Sequence, residues 1–403
     1  MKKKREKRRN GPASDSPEAR TGGDLGGLSH RFTQFADEAR AYAGPLYASL
    51  SKQVALDEDL LNIAAHARRP PVPNLFLGAV HFLLLEAPQH ELSAFYGSVC
   101  GDPRPPAEAH HAFRDFVLSN ADRLIPLLET RITQTNEVGR CSFLLPSFAS
   151  VHHLAGRRPL ALIDVGCSAG LHLLWDRYHY DYGVAQVGDP LAAVRITCEL
   201  LGPGVPPMPT VFPACVFRVG IDLSPVDLRD PIERRWFEAL IWPEHAGRRR
   251  LAAAAIDEWL RDPPPIVKGN AVDVLESELE RVPLDATPVV YNSAALCQGG
   301  LADETAIAKV LTAFSSRRAI HWLHCENEEV RLRAIDRGRM TEMKLANKDG
   351  HGRWLEWLRE PWWRRKRGTR RVGSAWCRGA LRARLRALID DRRMDDGRSR
   401  RPQ

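Results

Sequence analysis

The apolar positions of this 403-residue chain repeat with a helical period up to about residue 158 and then change to short continuous runs. Phe32, Phe35, Ala36 and Ala39 fall at i, i+3, i+4 and i+7, and Leu46, Leu50 and Val54 carry the period onto a second helix. Asn74 suits the start of a helix carrying Leu75, Val80, Leu83 and Leu84, while Phe113, Phe116 and Val117 mark another. From residue 159 the run PLALIDVG, closed by an acid and a glycine, has the composition of a strand buried on both faces of a parallel sheet. CVFRVGIDLS, PPIVKGNA, TPVVYNS and RAIHWLHCE repeat the type, with helical patterns such as Arg248–Leu260 and Asp303–Phe314 between them. The alternation predicts an α/β fold with a doubly wound, Rossmann-like sheet over residues 159–358, preceded by an all-helical domain over residues 28–158. Residues 183–213, with GDP, LGPG and PPMP, read as a loop or hairpin excursion, and HGRWLEWL at 351–358 should close the fold against the sheet.

Charge changes this picture only at the ends. The formal net charge is +8, but residues 1–20 hold +5 and residues 359–403 hold +11, which leaves −8 on the rest. A basic groove for nucleic acid is therefore not expected unless the tails supply it. Residues 1–27 and the Arg-rich segment 359–403 have the composition of disordered tails, with Trp362 and Trp363 beside arginines as a possible contact for a membrane or nucleic acid. The eight cysteines form no CxxC pair and no metal-like spacing, so no metal site is predicted. No apolar run approaches a membrane span, and the lysine-rich start lacks the apolar stretch of a signal peptide, so a soluble cytoplasmic protein is expected.

The sharpest chemical motif is Asp164-Val-Gly166-Cys-Ser168-Ala-Gly170. Glycine after a buried strand permits a tight turn that opens the backbone to a ligand, as in nucleotide-binding folds. In S-adenosylmethionine (SAM) methyltransferases the pattern is usually acidic-x-Gly-x-Gly-x-Gly, and here Ser168 takes the central place. The same residues also fit the G-x-S-x-G elbow of α/β-hydrolases, in which Ser168 would be a nucleophile with partners such as Asp303 and His324. That fold needs strands and an oxyanion loop upstream, where this chain reads as helix.

Asp222, closing the strand Val219-Gly220-Ile221-Asp222, could accept hydrogen bonds from ribose hydroxyls. It lies 52 residues beyond Gly170 against the roughly 20 of a simple unit, so the 183–213 excursion must absorb the excess. Asn270, after the third strand, could bond an adenine amino group. Asn292 ends the next strand, and Glu326 follows the one after. The polar run Thr133-Gln134-Thr135-Asn136-Glu137-Val-Gly139-Arg140 leads into an apolar helix that Asn136 could cap, with Glu137 and Arg140 one turn apart. It is either a capping and salt-bridge cluster or, with Trp175, a lid and substrate contact over the cofactor mouth.

RFTQFADEAR, PNLFLGAVHFLLL, TQTNEVGRC, IDVGCSAGLHLLWDRYHYDYG, RVGIDLSPVDLRDP, IWPE and HGRWLEWL together resemble the bacterial family DUF2332 over about residues 29–358. The resemblance implies a SAM-methyltransferase-like fold. The chain departs from the family pattern at His172, where the family has Asn, at Asn270, where it has Asp, and at Asn292, where it has His. The expectation is therefore a SAM-dependent methyltransferase with SAM as cofactor and a small-molecule ligand. Asp164, Gly166, Ser168, Gly170, Asp222 and Asn270 would bind the cofactor, and Asn292, Glu137 and Glu326 are the candidates for a catalytic group. The alternative is a non-catalytic SAM or nucleoside sensor or scaffold.

Overall fold

The computed structural model describes residues 24–296 and 301–358. The tails, including Trp362 and Trp363, and Cys297 and Cys377 lie outside the described residues.

Every element from Leu25 to Leu154 is helical. Helix α1 (Leu25–Ala41) starts three residues before the position expected, because the Asp24 side chain caps it by accepting from Gly27 N at 2.8 Å. Its predicted apolar face is the buried one. Helices α2 (Pro45–Val54), α3 (Glu58–Ala64), α4 (Val72–Leu84), α5 (His110–Ser119) and α6 (Ala121–Thr130) complete this layer. Asn74 does not open α4: the chain turns into it at Pro71, three residues earlier, and Pro73 occupies the first turn, where its missing N–H costs nothing.

Helix α7 (Cys141–Leu154) packs on the sheet instead, its Phe143, Leu144 and Phe148 sharing a core with Leu160, Leu162, Val289 and Tyr291. Helix α8 (Pro231–Ala239) joins the two regions. Its Trp236 enters the core of the helical layer and its Phe237 the core of the sheet.

The sheet is built on strands β1 (Leu160–Val165), β6 (Cys215–Asp222), β7 (Ile266–Lys268), β8 (Thr287–Ser293) and β9 (Ile320–Cys325). They lie in the order β7-β6-β1-β8-β9, all parallel. All six residues of β1 and all seven of β8 are buried, which is why their sequences run continuously apolar. Helix α9 (Ala246–Arg261) covers one face beside α7, and α10 (Ala271–Glu280) with α11 (Leu301–Phe314) covers the other.

An antiparallel extension follows β9: β10 (Glu329–Asp336), β11 (Arg339–Lys348) and β12 (Trp354–Trp357), the last formed by the HGRWLEWL segment. The 183–213 excursion is neither one loop nor one hairpin. Strands β2 (His179–Asp181), β3 (Gln186–Val187) and β4 (Arg195–Thr197) make a small separate sheet, and β5 (Glu199–Leu201) pairs in parallel with β12 at the edge of the main one. The molecule is thus a mixed α/β protein on a nine-stranded, mostly parallel sheet. No helix among the described residues is long and apolar enough to cross a membrane.

Candidate functional site

The chain leaves β1 through a corner that demands unusual backbone. Gly166 and Gly170 both have φ of 76°, and a Cβ on Gly166 would stand 2.3 Å from Ala295 Cβ. Ser168, between them, holds φ at 54°, a conformation that costs a side-chain-bearing residue energy. What holds it there is Asp222. Parallel pairing sets Asp164 beside Gly220, so β1 and β6 end on the same edge of the sheet, and Asp222 Oδ2 accepts from Ser168 N at 2.8 Å. Its Oδ1 accepts from Ser224 N at 2.8 Å and from Gln134 Nε2 at 3.0 Å.

Gln134 belongs to the polar run, which crosses the carboxyl ends of the strands and is tied down at several points. Asn136 Oδ1 accepts from Leu171 N at 2.7 Å, the Glu137 carbonyl accepts from His172 Nε2 at 2.9 Å, and Arg140 donates to the Ser293 carbonyl at 2.9 Å and the Gly350 carbonyl at 3.0 Å. One expectation is corrected. Asn136 caps the turn after Gly170, while the 3-10 turn Val138–Arg140 is capped by Glu137. Glu137 also pairs with a residue outside the run, Arg248, at 2.5 Å. Burial alone would raise the Glu137 carboxyl, but Arg248, His351 and Arg140 outweigh it and hold it below its ordinary value.

Behind the corner sits a buried couple. Burial, with the charge of Asp222 adding to it, raises the Asp164 carboxyl to about 8, and burial lowers the His172 imidazole to about 4. Both shifts favour the uncharged form, and the two groups lie 3.9 Å apart. Because a carbonyl can only accept, His172 Nε2 carries the proton given to Glu137, and Nδ1 faces Asp164.

The remaining predicted residues divide. Asn292 is fully buried at the end of β8, donating to Glu326 at 2.5 Å and accepting from Trp322 Nε1 at 2.7 Å. Glu326 also accepts from Ala295 N and Leu296 N, so two of the three candidate catalytic side chains, Asn292 and Glu326, are anchored in one network. Asn270 caps α10 from an exposed position, its Oδ1 accepting from Val272 N at 3.0 Å. Trp175 is a core residue and not part of a lid: it is fully buried against Phe148 and Phe212. Ser168 Oγ has no hydrogen-bond partner among the described residues, and no described strand precedes β1, so neither base nor scaffold of a nucleophile elbow is present there.

Sequence reasoning passed over Gln134 as a latch and Arg248 as the partner of Glu137. Gln134 stood inside the polar run, but nothing local ties residue 134 to residue 222. No cluster of three or more His, Cys, Asp or Glu that could hold a metal occurs among the described residues.

Fold and edge together define an α/β protein whose buried polar groups gather where parallel strands end, beneath a stitched-down polar segment. Residues 29–357 match the family described as "Uncharacterized protein conserved in bacteria (DUF2332)", and the chain belongs to it. No curated protein and no solved structure matches the chain.

Proposed function

We propose that this protein is a SAM-dependent methyltransferase of the Rossmann-like class. The observation that carries the reading is the meeting of the glycine-bent corner with Asp222 on one edge of the sheet. Five parallel strands lie third-second-first-fourth-fifth in chain order, and folds of that order bind nucleotides outside the strands' carboxyl ends, where the order reverses. That reversal falls at β1.

The side chains present suit a nucleoside bearing an amino acid. Asp222 accepts three hydrogen bonds where a carboxylate offers about four sites, which leaves room for a ribose hydroxyl. Asp164 Oδ2, Ser168 Oγ, Ser293 Oγ and Thr133 Oγ1 are buried without partners among the described residues, a set of polar atoms that a polar ligand would satisfy. The Gly166–Gly170 corner would hold the methionine end and Asn270 the adenine edge. When bound, SAM supplies a sulfonium methyl group to a nucleophile. The chain's own part is alignment and exclusion of water, with Gln134 yielding its bond to Asp222 as the ligand enters. The anchoring of Asn292 and Glu326 in one network favours a second reading, a non-catalytic SAM sensor using the same pocket.

Titration calorimetry with SAM and with its demethylated product tests the site. Asp222→Ala should weaken SAM binding by at least about tenfold, the scale of a lost charged hydrogen bond. Binding without turnover of any methyl acceptor supports the sensor, and failure of both compounds to bind removes both readings.

A further inference from the structure

Next to the polar segment lies a cavity of about 500 Å³ that neither the cofactor site nor the strand ends account for. Arginines dominate its wall: Arg195 on β4, Arg248 and Arg250 at the start of α9, and Arg353 before β12. Glu137 is the carboxylate of the lining, and His351, lowered to about 3 mainly by burial, adds no charge at neutral pH.

Two of these cations are already engaged. Arg248 pairs with Glu137, and Arg353 clasps Asp349 at 2.8 and 2.9 Å. Arg195 and Arg250 are exposed and have no carboxylate partner among the described residues, although Arg195 donates to the Pro190 carbonyl. The first turn of α9 adds the positive end of a 16-residue helix whose N-cap makes no side-chain bond. A chain that carries −8 outside its tails has thus gathered uncompensated positive charge around a concavity of ligand size.

We propose that this cavity binds an oxyanion, the phosphate or carboxylate end of a small metabolite, with Arg195 and Arg250 as the gripping pair. Taken with the methyltransferase reading, on which this clause alone rests, the oxyanion belongs to the methyl acceptor. Glu137 makes the connection, since its side chain lines the cavity while its carbonyl is held by His172 of the β1 corner. A bidentate guanidinium favours planar carboxylate and tetrahedral phosphate over chloride.

The test uses the full chain at fixed ionic strength, titrated with inorganic pyrophosphate and, separately, with citrate. One saturable site is expected for at least one of them. Arg195→Gln with Arg250→Gln should weaken it by about tenfold or more, while the melting temperature holds because both side chains are exposed. The basic tails are identical in both proteins, so anion bound there cancels in the comparison. Tighter pyrophosphate binding assigns a phosphate, tighter citrate binding a carboxylate. No saturable binding of either anion, or equal affinity in the double variant, overturns the proposal. SAM titrated into the same samples separates the two ideas: SAM failing where an anion binds removes the methyltransferase reading alone, and the reverse removes the cavity alone.

Discussion

The core of the helical layer and the carboxyl edge of the sheet are both buried, yet they are built from opposite materials. In the helical layer Phe76 meets Phe32 and Phe113 edge to face, at 5.8 and 6.1 Å between ring centres, and α4 presents an almost wholly apolar surface around it. At the strand ends, Asp164, His172, Asn136, Glu137, Ser168, Asp222, Asn292 and Glu326 are all buried and polar. Apolar burial stabilises the fold directly, whereas buried polar groups need partners to avoid a penalty. The concentration of such groups at one edge, several lacking partners among the described residues, separates the part of the molecule devoted to stability from the part that stability alone does not explain.

The sharpest break of that contrast is Phe76→Ala. Truncating a fully buried ring should cost about 3–5 kcal/mol, read by denaturant unfolding, with the SAM affinity of the folded fraction unchanged. If affinity falls in step with stability, the two regions are coupled and the division fails.

Asp164→Asn comes next. The Asp164 carboxyl rises from its ordinary 3.8 to about 8, so the folded state holds a proton that the unfolded state has released between those values. Its contribution is fully present below pH 3.8 and is lost as pH rises through about 8. The asparagine variant cannot titrate. Its stability relative to the native chain should therefore climb with pH across that window, by on the order of a few kcal/mol, in paired melting curves. A difference that stays flat between pH 4 and 8 would show that Asp164 is charged in the fold.

Gln134→Ala sharpens the comparison most gently. Loss of one side-chain bond to Asp222 should cost no more than about 1 kcal/mol. SAM should then bind somewhat more tightly, by calorimetry, because its competitor for the carboxylate is gone. Weaker binding would instead make Gln134 a ligand contact.

Most elements were legible because their signals are local. PLALIDVG, TPVVYNS and RAIHWLHCE became β1, β8 and β9, and the pattern over Arg248–Leu260 became α9. The corner at Gly166 and the acid at Asp222 were found for the same reason: a strand end followed by glycine or acid is visible within ten residues. The segment Leu171–Arg177 after the corner forms a 3-10 turn before the chain enters the small sheet, a shape that no local pattern announces. Trp175 looked like a lid residue only because sequence does not say which way an aromatic points. The hairpin of β10 and β11 was missed because its inner and outer positions alternate imperfectly and its outer face is laced with ion pairs among Glu329, Arg331, Arg333 and Glu342.

Local patterning along the chain was enough to show where helices give way to strands, which strands are buried on both faces, and that a bare corner and an acid follow two of them. Period and composition act over a few residues and need no partner to be read. Folding was needed to bring Gln134 to Asp222 across 88 positions, Glu137 to Arg248 across 111, and Arg195 to a cavity shared with the start of α9. Those contacts depend on which elements pack side by side, and no residue carries the identity of a distant neighbour in its own side chain.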